Sequence, residues 1–182
     1  MVPQRSGPDH GVPERKDPVI PPKVSVEGIV TEAIVTEVPL FLYVSTADCH
    51  KNFETLCEAA RLLEREVGTG KFKVVLTIAG TENRYARWVK KHWGDVSSIE
   101  FKGLMPKEKL FGYYRAASCF IFPSRVETWG LPITEYMILN GGRMLLADLP
   151  YAHETSEGRG EFFPATDARK LKELMYESLA TR

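Results

Sequence analysis

The sequence lacks an excess of either charge. Its 182 residues carry 24 Lys and Arg against 24 Asp and Glu, so the net charge is zero. Without a long-range positive field, nothing gathers a polyanion, and nucleic acid is not an expected partner. Cysteine is scarce. Cys49, Cys57 and Cys119 cannot all pair, and no two form a C-x-x-C, which excludes a disulfide framework and a zinc-ribbon pattern. A reducing, cytoplasmic setting is the expectation. His10, His50, His92 and His153 are scattered without metal-ligand spacing, so no metal site is expected. Long apolar runs are missing too. Val74–Ile78 and Cys119–Phe122 are far shorter than the roughly 20 residues a bilayer requires, and residues 1–22 are polar and proline-rich, unlike a secretion signal. Contact with a membrane, at its cytoplasmic face, would be peripheral at most. What remains is 43% hydrophobic and 26% charged residues, the balance of one globular domain with a sizeable core.

Proline divides the chain. Six of its twelve prolines fall in the first 22 residues, where apolar periodicity is absent. Residues 1–39 therefore read as a tail or linker, with room for an edge strand over Ile29–Val38. From residue 40 to 182 short apolar runs alternate with longer helical stretches, the pattern of βαβ units on a parallel sheet. The strands expected are Leu40–Val44, Lys73–Ala79, Ser98–Phe101, Cys119–Phe122, Met144–Ala147 and Glu161–Phe163. The helices are Asn52–Glu66, Asn83–Trp93, Pro106–Ala117, Pro132–Leu139 and Ala168–Ala180. The fold class is α/β, a Rossmann-like open parallel sheet with helices on both faces. Such sheets bind ligands beyond the carboxyl ends of their strands, here in the loops Ser45–Lys51, Gly80–Asn83, Gly103–Met105, Pro123–Glu135 and Ala147–His153.

The richest of these loops is Phe122-Pro-Ser-Arg-Val-Glu-Thr-Trp-Gly-Leu-Pro-Ile-Thr-Glu135. Gly130-Leu131-Pro132 marks a helix N-terminus, whose unpaired N–H groups and dipole attract an anion. Glu135 would lie in the first turn or so, and Glu127 before the helix. Their spacing of eight proves little by itself. Glu58/Glu66 and Glu100/Glu108 share it, about what chance gives with 18 glutamates, and both look like solvated surface charges. Only the Pro-Ser-Arg and Trp-Gly-Leu-Pro context sets the third pair apart.

With that segment in place, the chain from about Phe41 to Leu179 resembles the C-terminal, donor-binding domain of the family 4 retaining nucleotide-sugar glycosyltransferases, enzymes of the two-Rossmann GT-B architecture. The resemblance is carried by Phe41-Leu-Tyr-Val-Ser45, His50-Lys-Asn-Phe-Glu-Thr-Leu56, Ile78-Ala-Gly80, Phe101-Lys-Gly-Leu104, Tyr114-Arg-Ala-Ala117, the Glu127 to Glu135 segment and Asp148-Leu-Pro-Tyr-Ala-His-Glu154. It implies that Lys51 binds the donor diphosphate, that Gly80 and Gly103 let backbone approach the donor, and that Leu104 lies beside the base. Glu127 would be the catalytic group, binding hydroxyls of the transferred sugar and supporting charge at its anomeric carbon. Glu135 would grip the ribose diol. Thr128, Trp129, Gly130 and Leu131 would line the donor between them, although Trp129 could equally pack on the sheet. The donor is a nucleotide-diphospho-sugar acting as substrate, with no cofactor and no metal. The product would be a hexosylated glycan or lipid-linked acceptor.

Two departures accompany the likeness. The arginine usual about five residues before the lysine is missing from Ser45-Thr-Ala-Asp48. After Glu135 the family commonly reads Ala-Met-Ala-x-Gly-x-Pro, whereas this chain has Tyr-Met-Ile-Leu-Asn-Gly-Gly-Arg143, which implies a rebuilt helix end. Only the proline-rich stretch precedes Phe41, so an N-terminal acceptor-binding domain, in cis or in trans, is an expected partner and the chain alone is expected to transfer nothing. The remaining readings are a non-catalytic interaction domain of the same fold and a fragment of a GT-B epimerase. A dinucleotide-dependent oxidoreductase would need G-x-G-x-x-G after the first strand, and Ser45–Lys51 contains no glycine.

Overall fold

The structure is a computed structural model and describes residues 22–26 and 28–180. Residues 1–21, most of the expected tail, lie outside it. Six strands run parallel in the order β3-β2-β1-β4-β5-β6: β1 (Leu40–Tyr43), β2 (Lys73–Leu76), β3 (Ile99–Phe101), β4 (Cys119–Phe122), β5 (Arg143–Ala147) and β6 (Glu161–Phe163). The central strands Leu-Phe-Leu-Tyr and Cys-Phe-Ile-Phe are buried along their whole length. Both faces of a parallel sheet are covered, so such strands are uniformly apolar rather than alternating.

The helices are α1 (Phe53–Val67), α2 (Arg84–Trp93), α3 (Lys107–Ala116), α4 (Leu131–Leu139), α5 (Pro150–Thr155) and α6 (Ala168–Ala180). Phe53, Leu56, Cys57, Ala60 and Leu63 repeat at helical spacing along α1, and all five are buried. Removing a side chain such as Leu56 from water is worth about 1.5–3 kcal/mol. Helix α1 packs against α2 and α6, while α3 packs against α4. On the α3–α4 side, Phe120 stacks on Tyr136 at 5.0 Å between ring centroids, and Tyr114 lies 5.8 Å from Phe120. These rings fix α3 and α4 against β4.

Four expectations need correction. The edge strand over Ile29–Val38 does not form. Residues 29–36 are irregular and lie along α3: Glu32 N–H donates to the Glu108 carbonyl at 3.1 Å, and Arg115 donates to Thr31 Oγ1 at 2.9 Å. Gly112 permits that approach, because a Cβ there would stand 2.1 Å from the Glu32 carbonyl oxygen. Strand β2 stops at Leu76 rather than Ala79, since the Thr77 hydroxyl leaves the ladder to donate to the Ser45 carbonyl at 2.9 Å. The loop expected to run from Ala147 to His153 becomes helix α5 at Pro150, whose fixed φ suits a first turn. Finally, Asn52 is not the first residue of α1. It adopts a left-handed conformation between a single 3-10 turn, Cys49–Lys51, and the helix.

Candidate functional site

Strand order reverses between β1 and β4, so the loops leaving those two strands turn to opposite faces and open a crevice. Lys51 comes from the first loop and Glu127 from the second. They are 76 residues apart and meet with Lys51 Nζ 2.7 Å from Glu127 Oε1. The two side chains are only 14% and 12% exposed, so the pair is shielded from water on most sides.

The loops are stitched together behind it. Arg125 N–H donates to the His50 carbonyl at 2.8 Å, the Tyr43 hydroxyl to the Lys51 carbonyl at 2.6 Å, and the Tyr151 hydroxyl to the Ser124 carbonyl at 2.6 Å. Burial pushes the Tyr43 and Tyr151 phenols well above the usual tyrosine range, with the Glu127 carboxylate adding to it, so both stay protonated donors. Asn52 is completely buried. Its Nδ2 donates to the carbonyls of Pro123 and Ala165 at 2.8 and 2.6 Å, and its Oδ1 accepts from Thr55 and Arg125. One short polar side chain thus closes the base of the crevice, and Asn tolerates the left-handed backbone that puts it there. Asn52 was legible as a helix-start residue but not as this hub.

Gly130 caps α4 with φ 83°, a conformation that costs glycine nothing. Trp129 is committed to the scaffold: its indole N–H donates to Thr134 Oγ1 at 3.1 Å, and its carbonyl accepts from the Thr155 hydroxyl. Thr128 and Leu131 are exposed beside it. No acidic residue occupies the first turn of α4. Glu135 stands at the start of the second turn, just past the first, and its Oε2 accepts from the Tyr114 hydroxyl at 2.8 Å. Burial, reinforced by the Glu135 carboxylate, raises the Tyr114 phenol well above its ordinary value. Tyr114 stood in a quoted motif without a role, and only the α3–α4 packing gives it one.

Gly80 and Gly103 end the second and third strand segments, and both are buried. A Cβ on Gly80 would run into Lys90, and one on Gly103 would press on Ala79 at 3.2 Å, and both adopt a positive φ, so backbone conformation and packing each call for glycine there. Leu104 is 98% exposed at the rim. The three backbone N–H groups of Ala79, Gly80 and Thr81 converge on the Glu82 carboxylate. Burial works against that charge, but the backbone hydrogen bonds outweigh it and hold Glu82 below the usual carboxylate range. The missing arginine has no replacement in the first loop, where Thr46 donates to Asp48 at 2.7 Å. At the helix end that departs from the family pattern, Asn140 Nδ2 lies 2.9, 3.2 and 3.0 Å from the carbonyls of Tyr114, Arg115 and Ala117, tying the end of α4 to the last turn of α3.

Among the described residues no group of three or more His, Cys, Asp or Glu could hold a metal ion, and no helix is long and apolar enough to cross a membrane. A groove of about 390 Å³ lined by Pro39, Val67, Lys71 and Tyr176 lies at the amino ends of the strands, opposite the crevice.

A six-stranded Rossmann-like sheet with a crevice at its switch point is an architecture found in one half of GT-B folds, among others. Residues 29–179 match the family described as glycosyl transferases group 1, and the chain belongs to that family. Over 96 residues it is 31% identical to the O-antigen chain mannosyltransferase B of Escherichia coli, a match covering 53% of this chain and 25% of that protein. An α,α-trehalose-phosphate synthase (UDP-forming) from Burkholderia vietnamiensis superposes with a TM-score of 0.67 at 12% identity, over 80% of this chain and 38% of that one. A sucrose-phosphate synthase from Thermosynechococcus elongatus gives 0.65 at 24% identity, over 80% and 37%. These structural likenesses show the fold. The chain spans about two fifths or less of the relatives it matches.

Proposed function

We propose that this chain is the donor-binding domain of a retaining glycosyltransferase and holds a nucleotide-diphospho-sugar across the crevice between the β1 and β4 loops. The observation that carries the reading is the shielded Lys51–Glu127 pair at the switch point, beside the N-terminus of α4. An ammonium and a helix end together meet the charge of a diphosphate, with no cofactor and no metal called for. Glu127 is paired with Lys51. An incoming diphosphate takes the lysine and leaves Glu127 to accept from hydroxyls of the sugar and to support positive charge growing at its anomeric carbon. Glu135, held by Tyr114, accepts from the ribose diol, while Leu104 and Leu131 offer apolar surface to the base and sugar. The mannosyltransferase likeness favours a hexosyl donor; a glycan or lipid-linked acceptor, action in the cytoplasm and an N-terminal domain that supplies the acceptor wall complete the proposal.

Calorimetric titration with UDP-, GDP- and ADP-sugars tests this. One of them should bind, and Glu127→Ala should weaken the nucleotide-sugar more than the matching bare nucleoside diphosphate. Failure of the whole panel would reject the reading in favour of a non-catalytic domain of the same fold. Equal losses for both ligands would reject the division of labour.

A further inference from the structure

Helix α2, Arg84-Tyr-Ala-Arg-Trp-Val-Lys-Lys-His-Trp93, holds four Lys and Arg residues and no acid, in a chain whose net charge is zero. Its buried side is Ala86, Val89 and Trp93. At helical spacing those three share one face, and Arg84, Arg87, Trp88, Lys91 and His92 share the opposite one, all exposed. Lys90 turns back to the fold, donating to the Ala79 carbonyl at 2.8 Å and lying 5.5 Å above the Phe101 ring, and Arg87 makes a longer bond to the Thr81 carbonyl at 3.3 Å while its side chain stays exposed. None of the ion pairs among the described residues includes Arg84, Arg87 or Lys91. The preceding Glu82 is folded onto the backbone of residues 79–81 and does not neutralise them. Arg84 also opposes the helix dipole in the first turn, a placement that works against the helix itself.

In the middle of this cationic face stands Trp88, 42% exposed. Tyr85 stacks on it at 6.0 Å and 20°, and His92 lies against it at 4.7 Å. Trp93 stands roughly perpendicular to it at 5.3 Å, so three rings flank the indole. Rings that already flank the indole leave less of it for stacking an unpaired base, whereas an indole amid cations suits the headgroup layer of a bilayer.

We infer that the outer face of α2 docks on an anionic lipid surface, with Arg84, Arg87 and Lys91 meeting headgroup phosphates and Trp88 entering the interface. Two weak signals, a cationic patch and an aromatic wedge, together give reversible and salt-sensitive attachment. The face is joined to the crevice. Asn83, which caps α2, donates to the Ala47 carbonyl at 2.5 Å in the loop that carries Lys51, so docking would hold that end of the sheet beside the bilayer. The inference stands on α2 alone and does not depend on the donor reading.

The test is co-sedimentation of the full chain with phosphatidylcholine vesicles, pure or containing about a third phosphatidylglycerol, at low and at high salt. Binding should require the anionic lipid, weaken at high salt, and fall at least ~10-fold in the triple variant Arg84→Gln, Arg87→Gln, Lys91→Gln. A control, Lys107→Gln with Lys109→Gln on α3, should bind like the parent. Arg84, Arg87, Lys91 and Lys107 are exposed and Lys109 is half-buried, and circular dichroism checks that each variant is folded. The blue shift of tryptophan fluorescence on vesicles should vanish in Trp88→Phe. No sedimentation with anionic vesicles at low salt, or equal binding by the triple variant, would overturn the inference. So would tighter capture of a single-stranded oligonucleotide by the same face. Nucleotide-sugar titration of the triple variant should match the parent, which separates failure here from failure of the proposed function.

Discussion

At the scale of single residues the crevice depends on groups that touch no ligand. Tyr114 is fully buried, and its hydroxyl has Glu135 as its partner. Tyr114→Phe keeps the ring packing against Phe111, Phe120 and Tyr136, so stability should change by no more than about 1 kcal/mol. Under the proposed function, Glu135 then loses the donor that orients it, and affinity for a nucleoside diphosphate should fall by about 1 kcal/mol. Glu135→Gln should cost about 1 to 2 kcal/mol, because it removes a charge-assisted acceptor. Calorimetry on both variants checks this. Unchanged affinity in Glu135→Gln would reject its contact with the ribose. In the sequence Glu127 and Glu135 were distinguishable from other pairs eight apart only by their neighbours. The structure separates them by contact: Glu127 is held by Lys51, whereas Glu58 serves Arg61 and Trp93, and Glu100 serves Lys73 and Lys102.

Elements were legible where apolar period or a stop signal was strong. The ranges Cys119–Phe122, Glu161–Phe163 and Ala168–Ala180 coincide with β4, β6 and α6. Elements went astray where side chains intercept the backbone, as Thr77 does at the end of β2 and Asn52 does before α1. The turn between β2 and α2 is another such place, built on the Glu82 carboxylate and three backbone N–H groups. Glu82 has a folded value below its ordinary 4.5, so its contribution is present above that value and is lost as pH falls through the folded one. Because the group is exposed and screened, Glu82→Gln should cost only about 0.5 kcal/mol at neutral pH. Denaturant unfolding of parent and variant at descending pH checks the sign. The gap should narrow below pH 4.5 and close in stronger acid. A gap that widened in acid would mean the hydrogen bonds do not favour the charged form.

At the scale of the molecule, the described residues form one sheet with one open crevice, and the chain spans 38% of a full synthase of this fold. Rate enhancement in a transferase comes from positioning two substrates and from preorganised charge in a site that excludes water. Under the proposed function, one wall by itself would leave the donor wet and the acceptor unplaced. The isolated chain should therefore bind donor without transferring sugar, and a matching N-terminal domain added separately should restore turnover. An assay with labelled donors and several acceptors checks it, and robust multiple-turnover transfer by the chain alone would refute it. The sequence by itself determined the alternation of buried strands with amphipathic helices, the loops able to meet a ligand, and the exclusions made from charge and cysteine. Those follow from apolar periodicity and composition, which are local properties of the chain. Only the tertiary structure decided that Lys51 meets Glu127, that Tyr114 holds Glu135, that Asn52 closes the crevice, and that Arg84, Arg87 and Lys91 of α2 face outward without an ion-pair partner among the described residues. Each depends on which strands lie side by side and which helix faces are covered. A hydrogen-bond partner 76 residues away leaves no trace in local periodicity.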